Sequence, residues 1–280
     1  MAYKNRKVAF VFPGQGAQYV GMGMDFVEKD PALITPLTKF DESNGTDLES
    51  IIKNGPEEVL KETHFTQPAI LYHSIIAMQS LLKEIEIVPD YVAGHSLGEI
   101  TSLVANDVLN FEDAMYLVHK RGEFMIKANQ GEPFAMAAII GLEPEVLKQL
   151  CLEVSKEHLV VVANYNTPEQ TVISGSEAGV NLVCESAKEK GAKRALPLTV
   201  GGPFHSPMIT KAGEWLSEEM SKLTFKSTDI PVISNVDAKP HTDPIAIRDN
   251  LAKQVTSSVL WVDSIRGMIS LGVELFIEFG

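Results

Sequence analysis

Val8-Ala9-Phe10-Val11-Phe12 is an unbroken apolar run ended by Pro13-Gly14, the pattern of a short strand buried on both faces. Thr66-Gln67-Pro68 reads as a helix start with proline near the first turn. Apolar residues then recur at Ile70, Leu71, Ile75, Met78, Leu81, Leu82 and Ile85 until Pro89 closes the segment. Tyr91-Val92-Ala93 predicts another strand, and Ile100, Leu103 and Val104 open a new helical period. Between Glu112 and Met125 a helix is expected, with Ala114, Leu117, Val118, Arg121 and Met125 along one stripe. Farther on, Pro231 to Val236 predicts a strand, Val259 to Leu271 a helix and Leu275 to Phe279 a last strand. Strands alternating with helices imply an α/β fold with a parallel sheet covered on both faces.

One stretch breaks that rhythm. Phe134 to Ile140 predicts a strand, and Pro144 to Lys156 a helix with Val146, Leu147, Leu150 and Val154 on one face. Val160 to Tyr165 and Thr171 to Ser174 are two strands separated by Asn166-Thr167-Pro168. Glu177 to Lys190 is a helix ended by Gly191, and Ala195 to Val200 a last strand. The order β-α-β-β-α-β is the split arrangement of a ferredoxin-like unit. A small inserted domain is therefore expected at about 130–198, with 1–129 and 199–280 forming the larger α/β domain around it. No repeat, low-complexity tract or linker interrupts the chain.

At 280 residues the chain can bury a sizeable core without disulfide staples. An apolar fraction of 45% with 22% charged residues argues against disorder. Lys plus Arg number 24 against 37 Asp plus Glu, a net charge of −13, so neither nucleic acid nor an anionic membrane is the default partner. Cys151 and Cys184 stand far apart with no metal-ligand spacing, which fits reduced thiols in a cytoplasmic protein and no metal site. The basic start Met1 to Lys7 is followed by too short an apolar run for a signal peptide. Apolar stretches such as Phe134 to Ile140 fall far short of the roughly 20 residues of a membrane span. A soluble protein is expected.

Gly94-His95-Ser96-Leu97-Gly98 matches G-x-S-x-G and falls between a strand and a helix. In that setting a sharp turn exposes the serine hydroxyl, and the helix N-terminus favours developing negative charge. Ser96 is thus the candidate nucleophile, against the plainer reading of a structural turn. A serine needs a base, and seven histidines are available. His64 and His241 are expected in polar loops, His158 at a helix end, and His73 and His119 on helices as surface or core residues. His95 adjoins Ser96, but neighbours in a tight turn point apart. His205 lies in Gly201-Gly202-Pro203-Phe204-His205-Ser206-Pro207, a rigid loop after a strand, where open α/β sheets place their sites. It is the favoured base, the alternative being a loop histidine held by proline packing.

Arg121 carries the substrate clue. An arginine on a buried stripe is costly unless a carboxylate or phosphate meets it, and its planar fork suits a carboxylate. An internal salt bridge to a buried Asp or Glu explains it equally well. The loop Pro13-Gly14-Gln15-Gly16-Ala17-Gln18 is no phosphate cradle, because G-x-G-x-x-G fails at Tyr19. It is either a plain turn or one that aims a backbone N–H at the neighbouring site.

Together, Phe12 to Gln18, Gly94 to Glu99, Arg121, Gly202 to Ser206 and Gln254 resemble the malonyl-CoA:acyl-carrier-protein transacylases and the related acyltransferase domains of polyketide synthases. The resemblance spans nearly the whole chain and implies a hydrolase-like α/β domain with an inserted ferredoxin-like subdomain. It implies that Ser96 takes a malonyl group from coenzyme A and that His205 moves the proton. The backbone N–H groups of Gln15 and Leu97 would hold the oxyanion. Arg121 would pair with the malonyl carboxylate, and the phosphopantetheine thiol of an acyl carrier protein would collect the product, with no cofactor. By the same resemblance His205 is oriented by a carbonyl at Gln254, Asn164 matches an active-site asparagine, and Phe204 matches members that select malonyl over branched groups. The departure is at Glu278-Phe279-Gly280, where the family continues through a Gly-Pro-Gly turn into another helix.

Two other function classes use the same residues: a serine hydrolase or thioesterase, and a docking scaffold with a disused elbow. Carrier proteins of this kind are acidic, so a chain at −13 needs a local basic landing site. Lys188, Lys190, Lys193 and Arg194 form the densest basic run, expected either to dock the carrier or to be a solvated helix end.

Overall fold

A computed structural model of the chain describes residues 6–280; of the basic start, Met1 to Asn5 lie outside them. Strand β1 (Lys7–Phe12) leads into short helices α1 (Met24–Lys29), α2 (Thr35–Asn44), α3 (Leu48–Asn54) and α4 (Glu57–Leu60). Helix α5 (Thr63–Glu84), β2 (Tyr91–Gly94), α6 (Leu97–Ala105) and α7 (Phe111–Lys127) follow. Next come β3 (Phe134–Ile140), α8 (Pro144–Val154), β4 (Val160–Thr167), β5 (Gln170–Ser176), α9 (Glu177–Glu189) and β6 (Arg194–Pro197). The chain closes with α10 (Thr210–Met220), β7 (Val232–Ile233), β8 (Pro240–His241), α11 (Pro244–Gln254), α12 (Trp261–Ser270) and β9 (Val273–Glu278).

The first sheet has the order β8-β7-β2-β1-β9. β1 pairs parallel with both β2 and β9, and β2 parallel with β7. The two-residue β8 pairs antiparallel with β7, so the sheet is mixed, where a parallel sheet was expected. The alternation of β1 feeds two cores: Val8, Phe10 and Phe12 join the large cluster with α5, α6 and α7, while Ala9 and Val11 join Met268 and Val273 on the other face. Burying each of these valine, phenylalanine and methionine side chains contributes about 1.5–3 kcal/mol.

The second sheet is antiparallel, order β4-β5-β3-β6, and its connectivity is β-α-β-β-α-β. One face buries Ala137, Ile139 and Ile173 against Leu147 and Cys151 of α8 and Val183 of α9. The other face packs Met136, Ala138 and Val172 into the main core. Helix α8 turns Cys151 inward beside Leu147, whereas Val146 is exposed, so its apolar face is rotated from the expected one. The β4–β5 turn is tighter than expected, since Thr167 already pairs with Gln170.

Three further differences have physical causes. Helix α5 begins at Thr63 and not at Thr66, which puts Pro68 inside it and His64 on it. Proline cannot donate to the carbonyl four residues back, and His119 Nδ1 donates to that His64 carbonyl instead, at 3.0 Å. The expected strand from Pro231 shrinks to Val232–Ile233, because the chain leaves the sheet to bring Asn235 under Ser96. Likewise β6 ends at Pro197, and residues 198–200 run on along the cavity wall. His241 lies on β8, not in a loop, with its Nε2 3.0 Å from Asp237 Oδ2. Among the described residues no helix is long and apolar enough to cross a membrane.

Candidate active site

The chain reverses sharply between β2 and α6. Ser96 sits there at φ 56° and ψ −106°, a conformation costly for a residue with a Cβ. The flanking glycines are required by contact: a Cβ on Gly94 would collide with the Gly98 carbonyl, and one on Gly98 with the Phe12 carbonyl. Three hydrogen bonds hold the strained turn. Asn235 Nδ2 donates to the Gly94 carbonyl at 2.8 Å, the Ser96 N–H donates to Asn235 Oδ1 at 2.7 Å, and Gln254 Nε2 donates to the Ser96 carbonyl at 2.9 Å.

His205 comes to this turn from the loop after β6 and is itself held at φ 56°. Its Nδ1 faces the carbonyls of Gln254 (2.9 Å) and Ser257 (3.1 Å). Carbonyls only accept, so Nδ1 carries the proton and Nε2 is left to accept from Ser96 Oγ, 2.8 Å away. Burial, and next the charge of Arg121, pushes the imidazole down to about 3, so it is neutral at neutral pH. His95 lines the same cavity but is not bonded to Ser96 Oγ: its Nε2 is 2.8 Å from Asn166 Oδ1 and its ring lies edge-on to Trp261.

Arg121 reaches the same hydroxyl from α7. The stripe Ala114, Leu117, Val118, Arg121 and Met125 is buried as expected, and Arg121 is 1% exposed. Close approach of the helix is possible because a Cβ at Gly122 would sit 2.6 Å from His64 Cα on α5. Arg121 Nη2 donates to Ser96 Oγ and to Gln254 Oε1, both at 2.9 Å, and Nη1 donates to Gln67 Oε1 at 2.9 Å. Its buried Nε has no hydrogen-bond partner among the described residues. Nor does the guanidinium form a salt bridge among them, so the internal ion pair weighed from the sequence is not made. Burial lowers its pKa to about 10, which leaves it charged at neutral pH.

These groups open onto a cavity of about 170 Å³ between the two sheets. Its polar wall includes Gln15, Ser96, Leu97, Arg121, Asn164 and His205, and its apolar wall Met125, Met136, Val172, Leu198, Val200 and Phe204. Among the described residues, the backbone N–H groups of Gln15 and Leu97 donate to no protein acceptor. The Gln15 loop lies close because Gly14 is bare: a Cβ there would stand 2.7 Å from the His95 carbonyl. A hydroxyl between a neutral imidazole and a guanidinium, with free N–H groups beside it, is equipped for acyl transfer through a covalent serine ester.

The acyl transferase domain family matches residues 9–279. The chain belongs to that family. It is 47% identical over 275 residues to the malonyl CoA-acyl carrier protein transacylase of Bacillus subtilis, covering 98% of this chain and 86% of that one. An acyl carrier protein S-malonyltransferase from Vibrio cholerae superposes with a TM-score of 0.94 at 39% identity, covering 98% of this chain and 90% of its own. A malonyl-transacylase solved in complex with its type II PKS acyl-carrier protein has a TM-score of 0.93 at 35% identity, with coverage of 98% and 89%.

For this acyl transferase the structure brings together every site residue singled out from sequence: Gln15, Ser96, Leu97, Arg121, Asn164, Phe204 and His205 line one cavity, with Gln254 directly behind it. Three participants received no chemical role from the sequence. Gln67 holds Arg121 Nη1, Asn235 pins the elbow, and Glu99 lies buried behind it. Of these, Gln67 stands out in the sequence as part of a helix start and Glu99 as the last residue of the Gly94 to Glu99 motif, neither with a chemical role. The side chain of Gln254 also does more than expected, bridging Arg121 and Glu99.

Proposed function

We propose that the chain moves a malonyl group from malonyl-CoA to the phosphopantetheine thiol of an acyl carrier protein, by a ping-pong mechanism through malonyl-Ser96. The observation that carries this reading is Arg121, a buried guanidinium 2.9 Å from Ser96 Oγ that forms no salt bridge among the described residues. The names of the relatives support the same substrate and acceptor.

Ser96 Oγ attacks the thioester carbon while His205 Nε2 takes its proton, and the oxyanion is held between the N–H groups of Gln15 and Leu97. Collapse breaks the C–S bond, and His205 returns the proton to the coenzyme A thiol. The carrier's thiol then repeats these steps in the other direction, its proton passing to His205 and on to Ser96. Arg121 pairs with the malonyl carboxylate, and its released Nη2 bond to Ser96 Oγ frees the hydroxyl to become an ester. Asn164 and Phe204 shape the acyl pocket, and no cofactor takes part. We also read residues 130–198 as a ferredoxin-like insertion in a hydrolase-like domain of 1–129 and 199–280, and the chain as a cytoplasmic enzyme. The support is the separate core under α8 and α9 and two free cysteines.

Mass spectrometry after mixing with malonyl-CoA distinguishes transfer from hydrolysis. A malonyl adduct on Ser96 that persists until carrier protein is added is the expected result; rapid loss to water without an acceptor would make the chain a thioesterase. The carrier is proposed to land on Lys188, Lys190, Lys193 and Arg194, which are all exposed where α9 ends and β6 begins. Reversing these charges should slow transfer to the carrier and leave loading from malonyl-CoA unchanged. An unaltered transfer step would exclude this landing site.

A further inference from the structure

Glu99 takes no step in the transfer chemistry, yet it is 1% exposed and lies in the first turn of α6, three residues after the nucleophile. Its Oε2 accepts from the Asn235 N–H at 3.0 Å and from Gln254 Nε2 at 2.7 Å. Ser234 and Asn235 after β7, and Gln254 at the end of α11, face it without charge; the charged group that acts on it is Arg121 from α7. The two ions do not form a salt bridge. The Gln254 carboxamide stands between them, with Oε1 accepting from Arg121 Nη2 at 2.9 Å and Nε2 donating to Glu99. A guanidinium only donates and a carboxylate only accepts, so that amide has one orientation and couples the pair.

Charge balance governs this pair. In the empty site Arg121 and an ionised Glu99 sum to zero. A malonyl carboxylate on Arg121 adds a negative charge beside a buried guanidinium in a partly apolar cavity, and an uncompensated buried charge is expensive. Glu99 can remove it by accepting a proton. We propose that Glu99 is a positioning residue that balances Arg121 through Gln254 in the empty site and takes a proton from solvent when a malonyl carboxylate arrives, so that binding of the diacid thioester is proton-linked. This rests on the malonyl-transfer reading. Burial already pushes the Glu99 carboxyl up to about 7, against the hydrogen bonds and Arg121 that lower it, so the exchange falls near neutral pH. The titratable groups on the other side of Arg121 do not substitute for it. His205 is held at about 3 and would have to climb far to take a proton in mildly alkaline solution, and burial lowers His95 as well.

Calorimetry in two buffers of different ionisation enthalpy tests this, with malonyl-CoA binding to Ser96→Ala, which cannot be acylated. Near pH 8 binding should take up a proton fraction approaching one per site, and near pH 6 almost none. Affinity should weaken by up to about tenfold per pH unit above about 7. In Ser96→Ala/Glu99→Gln the uptake and this pH dependence should vanish while binding remains. No uptake near pH 8, or an uptake that survives Glu99→Gln, overturns the proposal. If Glu99→Gln does not fold, an uptake in Ser96→Ala that fails to fade between about pH 8 and 6 overturns it, and one that fades supports it. Malonyl-CoA binding without uptake removes Glu99 alone; absence of binding removes the malonyl reading itself.

Discussion

Arg121→Ala is expected to lower malonyl loading of Ser96 by roughly 10²-fold or more, the loss that accompanies truncation of one partner in a buried, hydrogen-bonded charge pair. Acetyl-CoA, which brings no carboxylate, should lose little or be loaded faster, because the unpaired buried cation it must tolerate has gone. The ratio of kcat/KM for the two thioesters is the measurement. An unchanged ratio would make Arg121 a structural residue. The arrangement argues otherwise: Nη2 is already 2.9 Å from Ser96 Oγ and Nε is buried without a partner, so two donors are placed for an anion beside the reacting atom. Arg121→Lys should recover only part of the preference, since an ammonium keeps the charge but not the planar fork. The fold should survive either change, because Gln67 and Gln254 are neutral amides that water can satisfy.

His205→Ala should cut loading by roughly 10²–10⁴-fold, the contribution of a positioned general base. The pH profile makes the sharper test. Burial and Arg121 hold the imidazole at about 3, so the base stays unprotonated throughout mildly acid conditions. The initial rate of loading at low malonyl-CoA should therefore not fall between about pH 7 and 5, where an ordinary histidine near 6.5 would lose most of its activity. A half-loss near pH 6.5 would show that the imidazole titrates freely and is not confined as described. Stability carries the mark of the same confinement. Below about 6.5 the unfolded chain takes a proton on this residue that the folded chain refuses until about 3, so His205 destabilises the fold progressively as pH falls through that window.

What was legible in the sequence was local. The Gly94-His95-Ser96-Leu97-Gly98 turn could be read because strand, serine, both small residues and helix start lie within a few residues of one another. The Arg121 stripe was legible because burial of a helix face repeats every three to four residues, and all five stripe positions are buried. The strand Phe134–Ile140 was found to the residue. Short elements were not resolved. Helices α1 to α4 run 4 to 10 residues, too few turns for periodicity to stand out, and β7 and β8 are two residues each. The α5 start was misplaced by a sound local rule, Pro at the first turn, because a distant histidine supplies the hydrogen bond that Pro68 cannot.

The sequence by itself determined the alternation of strands and helices, the β-α-β-β-α-β order of the second sheet, and the choice of Ser96, His205 and Arg121 as candidates, because each is written in neighbours along the chain. Only the tertiary structure decided how they work together. Ser96 and His205 are 109 residues apart, and Ser96 and Asn235 139 apart, yet both pairs are joined by single hydrogen bonds. Glu99 makes the contrast plain. In sequence it closes the Gly94 to Glu99 motif, yet nothing there separates it from an acid on the first turn of a helix, where acids are common. In the folded protein it is a buried carboxyl coupled through Gln254 to Arg121, because burial and opposite charge act through space and leave no mark on the order of residues.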